Sequence, residues 1–117
     1  MPDFDPAAER ATFDWLSLID AGDAHASWAA SATLFRRAVP EQQWAESLEV
    51  ARAPLGKVVS RRLKSGNVVT QLPGAPDGEY VVFQFDTSFE LKRSAVETVT
   101  PMRDADGAWR VSGYFVR

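Results

Sequence analysis

The sequence contains no cysteine, so disulfides, thiolate metal sites and cysteine nucleophiles are excluded together. It has a single histidine, His25, and one imidazole without thiolates is a poor basis for a metal site. Asp20 and Asp23 stand near it, but all three suit an interhelix turn, where polar side chains are the normal occupants. Catalytic motifs and cofactor fingerprints are also missing. We therefore expect neither a metal nor another cofactor.

Long apolar runs and excess basic charge are also lacking. No run approaches the ~20 residues of a membrane-spanning helix, so we expect no membrane-spanning segment. The net charge of −3 disfavours nucleic-acid binding, which depends on phosphate contacts. The charge is uneven, since residues 1–56 carry nine acids and four bases, and residues 57–117 carry seven acids and nine bases. That asymmetry can orient an association but names no partner.

The N-terminal sequence Met-Pro-Asp-Phe-Asp-Pro does not have the basic and then apolar layout of a signal peptide. Two locations stay open. The protein is cytoplasmic, or it is periplasmic or secreted and an export signal has been removed. The missing cysteine does not decide between them, because an exported bacterial protein needs none.

The 117 residues suit one domain over residues 1–117. Over about residues 6–53 apolar residues recur at helical spacing, which predicts three helices. These begin at Pro6, after Asp23 and at Pro40, and the second runs without a break to Val39. Each helix has one tryptophan on its apolar stripe, and we place all three in the core: Trp15, Trp28 and Trp44.

Beyond Gly56 the apolar period changes to two, which indicates strands over about residues 57–117. Ser65-Gly66-Asn67 is interpreted as a hairpin loop and residues 73–78 as a turn. The predicted strands are Lys57–Lys64, Val68–Leu72, Tyr80–Leu91, Ala95–Met102 and one that starts at Trp109. Helices followed by strands predict an α+β fold with three helices on one face of a curved, four- to five-stranded antiparallel sheet.

Alternation along a strand predicts which face of the sheet each side chain occupies. In the last strand it places Trp109, Val111 and Phe115 inward, and in the longest strand it places five apolar side chains inward, ending at Leu91. The opposite face carries a patch with aromatic content: Tyr80, Val82, Tyr114 and Val116. Such patches often mark association surfaces, so we predict a homodimer that pairs these outer faces.

Four charged residues are candidates for a binding site: Arg61, Asp86, Glu97 and Arg110. Glu97 falls on a middle strand among Val and Thr, where a carboxylate needs a partner, and Arg61 or Arg110 can supply one across the ladder. A structural ion pair is the more common outcome. If burial raised its pKa, Glu97 could instead act as a base.

Several motifs resemble, in their order and spacing, a bacterial family known as domain-of-unknown-function family 4019. They include Arg52-x-Pro54-Leu55-Gly56, Ser60-Arg61, Leu72-Pro73-Gly74-x-Pro76-Asp77-Gly78-x-Tyr80, Glu97-Thr98-Val99-Thr100 and Gly107-x-Trp109-x-Val111-x-Gly113-Tyr114. The resemblance implies a small bacterial protein, often exported, with a cystatin-like or nuclear-transport-factor-2-like fold. It implies no catalytic residue, because no activity is established for the family.

Two hypotheses of function follow. The leading one is a non-catalytic domain that acts by protein or small-ligand binding and dimerises. The alternative is a small-molecule binder or pocket enzyme of the ketosteroid-isomerase-like type, with Glu97 or Asp86 as the titrating group and Arg61 or Arg110 beside it. The short connection between the second and third helices leaves no room for the hairpin often found there in such enzymes, which weakens the alternative.

Overall fold

The computed structural model describes residues 3–117, and Met1 and Pro2 of the predicted domain lie outside the described residues. Four α-helices precede four strands in this part of the chain, which confirms the α+β prediction. The helices are α1 (Pro6–Asp20), α2 (Ala24–Ala29), α3 (Thr33–Ala38) and α4 (Glu41–Arg52), followed by a 3-10 turn (Ala53–Leu55). The strands are β1 (Val58–Val69), β2 (Tyr80–Phe89), β3 (Lys92–Arg103) and β4 (Trp109–Val116). They form one open antiparallel sheet in the order β1-β2-β3-β4.

The first two helices begin where the sequence predicts, because each has an aspartate at its N-terminus. The Asp5 carboxylate accepts a hydrogen bond from the Ala7 amide at 2.9 Å, and the Asp23 carboxylate accepts one from the Ala26 amide at 2.9 Å. Between them Gly22 has a φ of +75°, which suits a glycine that ends a helix. These caps fix the turn that returns the chain against α1.

The predicted second helix through to Val39 is wrong, because the chain breaks into α2 and α3. At the break Ala32 is extended, and its amide donates to the carbonyl of Val111 on β4 at 2.8 Å. The amide and hydroxyl of Thr33 both donate to the Asp104 carboxylate at 3.0 Å. These long-range bonds satisfy groups that an unbroken helix would have bonded within itself, so tertiary contacts override the helical periodicity.

The predicted hairpin loop at residues 65–67 is also wrong, since β1 continues through it as one strand. Gly66 lies on the inner face, where an added Cβ would come within 2.8 Å of the Phe4 ring and 2.9 Å of the Phe83 ring. The glycine therefore marks a close approach of side chains to the backbone and not a turn. A register shift between Leu63 and Ser65 absorbs the irregularity, and the sheet has four strands.

The core lies between the helices and the inner face of the sheet. Trp15 and Trp44 are buried there, as predicted, and Trp28 is partly buried against the same cluster. Each indole N–H has an acceptor: Trp15 donates to the Ser27 carbonyl at 3.0 Å, Trp44 to the Ser27 hydroxyl at 2.9 Å and Trp28 to the Val39 carbonyl at 2.8 Å. Large apolar side chains are thus buried without orphaned donors.

The predicted faces of β4 are wrong beyond Val111. The pairing of β3 with β4 shifts register between Thr100 and Pro101, so an extra residue interrupts the alternation. Tyr114 consequently turns inward and hydrogen-bonds Glu97, whereas Phe115 turns outward and is exposed. Leu91, predicted inward, lies in the β2–β3 turn and is exposed as well.

Candidate functional site

Glu97 is the most deeply buried charged side chain in the described residues, with 0% of its surface exposed. It stands on the inner face of β3, opposite Phe85 of β2 and Val116 of β4. A carboxylate in such surroundings is stable only when donors surround it, because burial removes its hydration. The partners of this side chain therefore decide what it can do.

Each carboxylate oxygen of Glu97 accepts two hydrogen bonds. Oε1 accepts from Arg61 Nε at 2.7 Å and from the Thr87 hydroxyl at 2.6 Å. Oε2 accepts from Arg61 Nη2 at 3.1 Å and from the Tyr114 hydroxyl at 2.6 Å. A carboxylate offers about four acceptor positions, and protein donors occupy all four. Neither oxygen is left to take a proton from a bound molecule.

The cluster continues from Arg61 to the helices. Arg61 Nη1 and Nη2 donate to the two Asp20 oxygens at 2.8 Å and 3.0 Å, and Arg52 Nη2 donates to Asp20 at 3.0 Å. Burial alone would lower the pKa of Arg61, but its hydrogen bonds to Asp20 and Glu97 outweigh this and raise that pKa. We call the six connected residues the Glu97 network: Asp20, Arg52, Arg61, Thr87, Glu97 and Tyr114. It joins α1 and α4 to all four strands.

Arg52 is the one member of the network with unused donors. Its Nε and Nη1 atoms are buried and have no partner among the described residues, while its guanidinium lies 4.9 Å from the centre of the Phe89 ring. A cleft of about 390 Å³ opens beside it. Three carboxylates line this cleft against two cations, so it does not favour an anionic ligand: Asp20, Glu49, Glu90, Arg52 and Lys57.

Tyr114 gives the network a testable pH dependence. Burial raises the pKa of its hydroxyl, and the Glu97 carboxylate raises it further. In the unfolded chain the phenol titrates near its ordinary pKa of about 10. Between these two pKa values the Tyr114 hydroxyl has lost its proton only in the unfolded state. Its contribution to the free energy of unfolding is therefore fully present below pH ~10 and is lost as the pH rises further.

We therefore predict that Tyr114→Phe flattens the loss of stability above pH ~10. The variant also loses about 1–3 kcal/mol at pH 7, because one bond to the buried carboxylate is gone. Urea unfolding at pH 7, 9, 10 and 11 measures both effects. Tyr80→Phe is the matched control, since these are the two tyrosines of the chain. Equal slopes for wild type and Tyr114→Phe above pH 10 would contradict the prediction.

Of the four predicted binding residues, the structure brings only Arg61 and Glu97 together. Arg61 reaches Glu97 across β2, because β1 and β3 flank that strand without pairing. Asp86 lies on the opposite face of the sheet, 3.8 Å from Arg62. Arg110 lies at the start of β4 and binds two carboxylates of the preceding turn, Asp104 at 3.2 Å and Asp106 at 2.8 Å. Its hydrogen bonds lower the pKa of Asp106.

The sequence analysis missed three members of the network: Asp20, Thr87 and Tyr114. Thr87 had a usable signal, since it is the polar residue between Phe85 and Phe89 on the buried face of β2. Tyr114 was hidden by the register shift in β4. Asp20 was considered only beside His25, which is exposed and contacts Glu41 at 2.9 Å.

The four residues predicted to form a dimer surface do not share a face. Tyr80 is buried and donates its hydroxyl to the Pro76 carbonyl at 2.6 Å, under the 73–78 turn. Tyr114 and Val116 belong to the inner face. Val82 stands on the outer face as predicted, half-buried, whereas Tyr80 lies on the same side of β2 but is covered by the turn. The predicted patch is therefore wrong as a surface, because a β-bulge and a folded turn remove three of its members.

Helices on one face of an open antiparallel sheet, with a closed glutamate–arginine network between the layers, define a small α+β domain. The model of one family, described as protein of unknown function (DUF4019), matches residues 11–114, and the chain belongs to that family. The resemblance stated from the sequence motifs is thereby confirmed. Neither the curated proteins nor the solved structures contain a match.

Two further findings concern residues 3–117. Nowhere in this part of the chain do three or more His, Asp or Glu side chains gather in a way that could hold a metal ion. None of its helices has both the length and the apolar character needed to cross a membrane.

Proposed function

We propose that the chain is a single, non-catalytic binding domain, of cystatin-like or nuclear-transport-factor-2-like type, whose binding surface is the outer face of the sheet. The observation that carries this proposal is the saturation of Glu97. A general base needs an oxygen within hydrogen-bond reach of the substrate proton. Both Glu97 oxygens instead hold donors from Arg61, Thr87 and Tyr114.

The alternative, a pocket enzyme with a carboxylate between helices and sheet, finds less support. The inner face is filled by aromatic side chains and the Glu97 network. Asp86, the other carboxylate considered, stands on the outer face beside Arg62. In this sheet the space next to the candidate base is occupied by protein.

The outer face has the features of a recognition surface. Its side chains mix apolar, hydroxyl and charged groups, and the core cluster that holds the helices lies on the other side. Phe115 is 56% exposed there, and Thr98 lies opposite it on β3. Half-buried residues surround them: Val82, Gln84, Asp86, Val96 and Thr100. Such a mixed surface suits contact with a ligand or another protein.

Methyl NMR tests the proposal, because valine methyls report on the two faces separately. We expect small probes that bind (citrate, glucose and glucose 6-phosphate, each to 10 mM) to shift the methyls of Val82 or Val96 on the outer face. The methyls of Val81 and Val99, buried on the inner face, should stay within experimental error. Shifts confined to Val81 and Val99 would contradict the proposal and favour an interior pocket.

Self-association through the same face is a second candidate, favoured by the exposure of Phe115. Exposed large aromatic side chains are typical anchors of association. We expect a dimer in light scattering at tens of micromolar, and a monomer after Phe115→Lys, which would bury unpaired charges at the contact. Val50→Lys is the control, since Val50 is exposed on α4. A monomeric wild type, or a dimer that survives Phe115→Lys, removes this candidate.

A further inference from the structure

A polar groove crosses the outer face near the β2–β3 turn, and nothing in the Glu97 network uses it. We call it the hairpin groove; its volume is about 400 Å³. Its outward side chains come in pairs from three strands: Ser60 and Arg62, Asp86 and Ser88, and Arg93 and Ser94. Arg61 and Thr87 also border it, but their side chains turn inward to Glu97.

The groove brings together donors that have no strong partner in residues 3–117. Arg62 is 84% exposed and lies 3.8 Å from Asp86, which is too far for a hydrogen bond. Arg93 is exposed and forms no ion pair with the described carboxylates. The three serine hydroxyls make no side-chain hydrogen bond within the same part of the chain. Two guanidiniums and three hydroxyls therefore face one space.

The charge and number of these donors point to a phosphate group. Asp86 is the one carboxylate among the lining residues, so the groove is positive although the chain has a net charge of −3. Guanidinium groups bind carboxylates and phosphates by paired hydrogen bonds. The two oxygens of a carboxylate offer about four acceptor positions, fewer than these donors can fill. The three strongly accepting oxygens of a phosphate monoester offer more, so a phosphate can bond more of the donors.

We propose that the hairpin groove binds a hydroxylated phosphate monoester of the sugar-phosphate class. Arg62 and Arg93 hold the phosphate with the serine hydroxyls, and Asp86 accepts a hydrogen bond from a ligand hydroxyl. The volume lies within the ~300–1,000 Å³ typical of small-molecule sites. This inference rests on the proposed function, because it names the ligand class of the same outer face.

Titration of the full chain at low ionic strength with glucose 6-phosphate tests the inference. We expect saturable shifts at the Val96 methyl and at the amides of Ser60 and Ser88. Inorganic phosphate should bind more weakly and glucose should not saturate. Asp86→Asn should reduce the advantage of glucose 6-phosphate over inorganic phosphate.

Single substitutions assign the site. Arg62→Gln and Arg93→Gln should each weaken binding at least about tenfold, since hydrogen bonds to a charged group are worth about 1.5–3 kcal/mol. Arg10→Gln makes the same charge change at an exposed position on α1 and should alter binding by less than about twofold. Equal weakening by Arg10→Gln would overturn the site, because the effect would then be one of net charge.

Different probe results would overturn the phosphate inference and the proposal of an outer binding face. If citrate shifts the Val82 or Val96 methyls while no phosphate probe does, the phosphate inference fails and the binding face stands. A phosphoserine peptide that binds where glucose 6-phosphate does not would overturn the small-molecule class. Shifts confined to the inner valines Val81 and Val99 would overturn both.

Discussion

Glu97→Gln is expected to lower the free energy of unfolding by about 3 kcal/mol. Breaking a buried ion pair typically costs about 3–5 kcal/mol, because the remaining charge is left uncompensated. We expect the lower end, since Arg61 keeps its bonds to Asp20 at 2.8 Å and 3.0 Å. The amide also brings its own N–H₂ against the hydroxyl and guanidinium donors that now point at the carboxylate. Urea unfolding at pH 7, followed by tryptophan fluorescence, measures the loss.

The matched control for this substitution is Glu46→Gln. Glu46 is exposed on α4 and takes part in no ion pair with the described residues. Exposed substitutions of this kind usually change stability by no more than about 0.5 kcal/mol. A loss below 1 kcal/mol for Glu97→Gln would mean that the carboxylate contributes little to the fold.

Trp15→Ala is expected to cost about 3–5 kcal/mol, the other large effect. Removing a buried aromatic side chain loses its transfer free energy and leaves a cavity. The Trp15 ring lies 5.8 Å from the centre of Trp44 and 5.4 Å from that of Tyr114, so both neighbours lose packing. The Ser27 carbonyl loses the indole donor as well. Far-UV circular dichroism in urea measures this loss, since it does not depend on the deleted fluorophore.

Two variants separate the contributions to this effect. Phe13→Ala removes a half-exposed aromatic from the same helix and should cost about 1 kcal/mol. Trp15→Phe keeps most of the ring and removes the N–H, so it should fall between the two. A loss for Trp15→Ala no larger than that for Phe13→Ala would place Trp15 outside the stabilising core.

Local signals predicted those parts of the fold that local chemistry controls. Asp5, Asp23 and Gly22 fixed helix boundaries through caps and a positive φ. Alternation along β2 identified the buried face from Val81 to Phe89. The need of a buried carboxylate for a cationic partner pointed from Glu97 to Arg61 or Arg110, and Arg61 is the partner found. Each of these predictions needed only neighbouring residues or a single rule of burial.

The errors arose where distant residues decide the local structure. The break between α2 and α3 depends on Val111 and Asp104, which lie more than seventy residues further along the chain. The extended conformation of Gly66 depends on Phe4 and Phe83. An extra residue in β4 moved Tyr114 from the predicted outer surface into the Glu97 network. No periodicity within one strand reveals such a shift.

The Glu97 network also explains why the helices keep one position on the sheet. Its six residues come from α1, α4 and all four strands, and each bond fixes a distance between elements far apart in sequence. Burying these charges costs desolvation, so we expect the network to specify one arrangement of helices on the sheet more than to add net stability. Because the Glu97 oxygens are already bonded within the protein, the outer face is the better candidate for binding.

The most direct test of the structural role of Glu97 is a double-mutant cycle with Arg61→Met and Glu97→Leu, measured by urea unfolding at pH 7. Each single variant leaves a buried group without its partner, whereas the double variant removes the pair and leaves Asp20 bonded to Arg52. We predict that the double variant loses less than the sum of the single losses by at least about 2 kcal/mol. If the loss of the double variant equals the sum of the single losses to within about 0.5 kcal/mol, the two residues are not a coupled structural pair. Glu97 would then again be a candidate functional group.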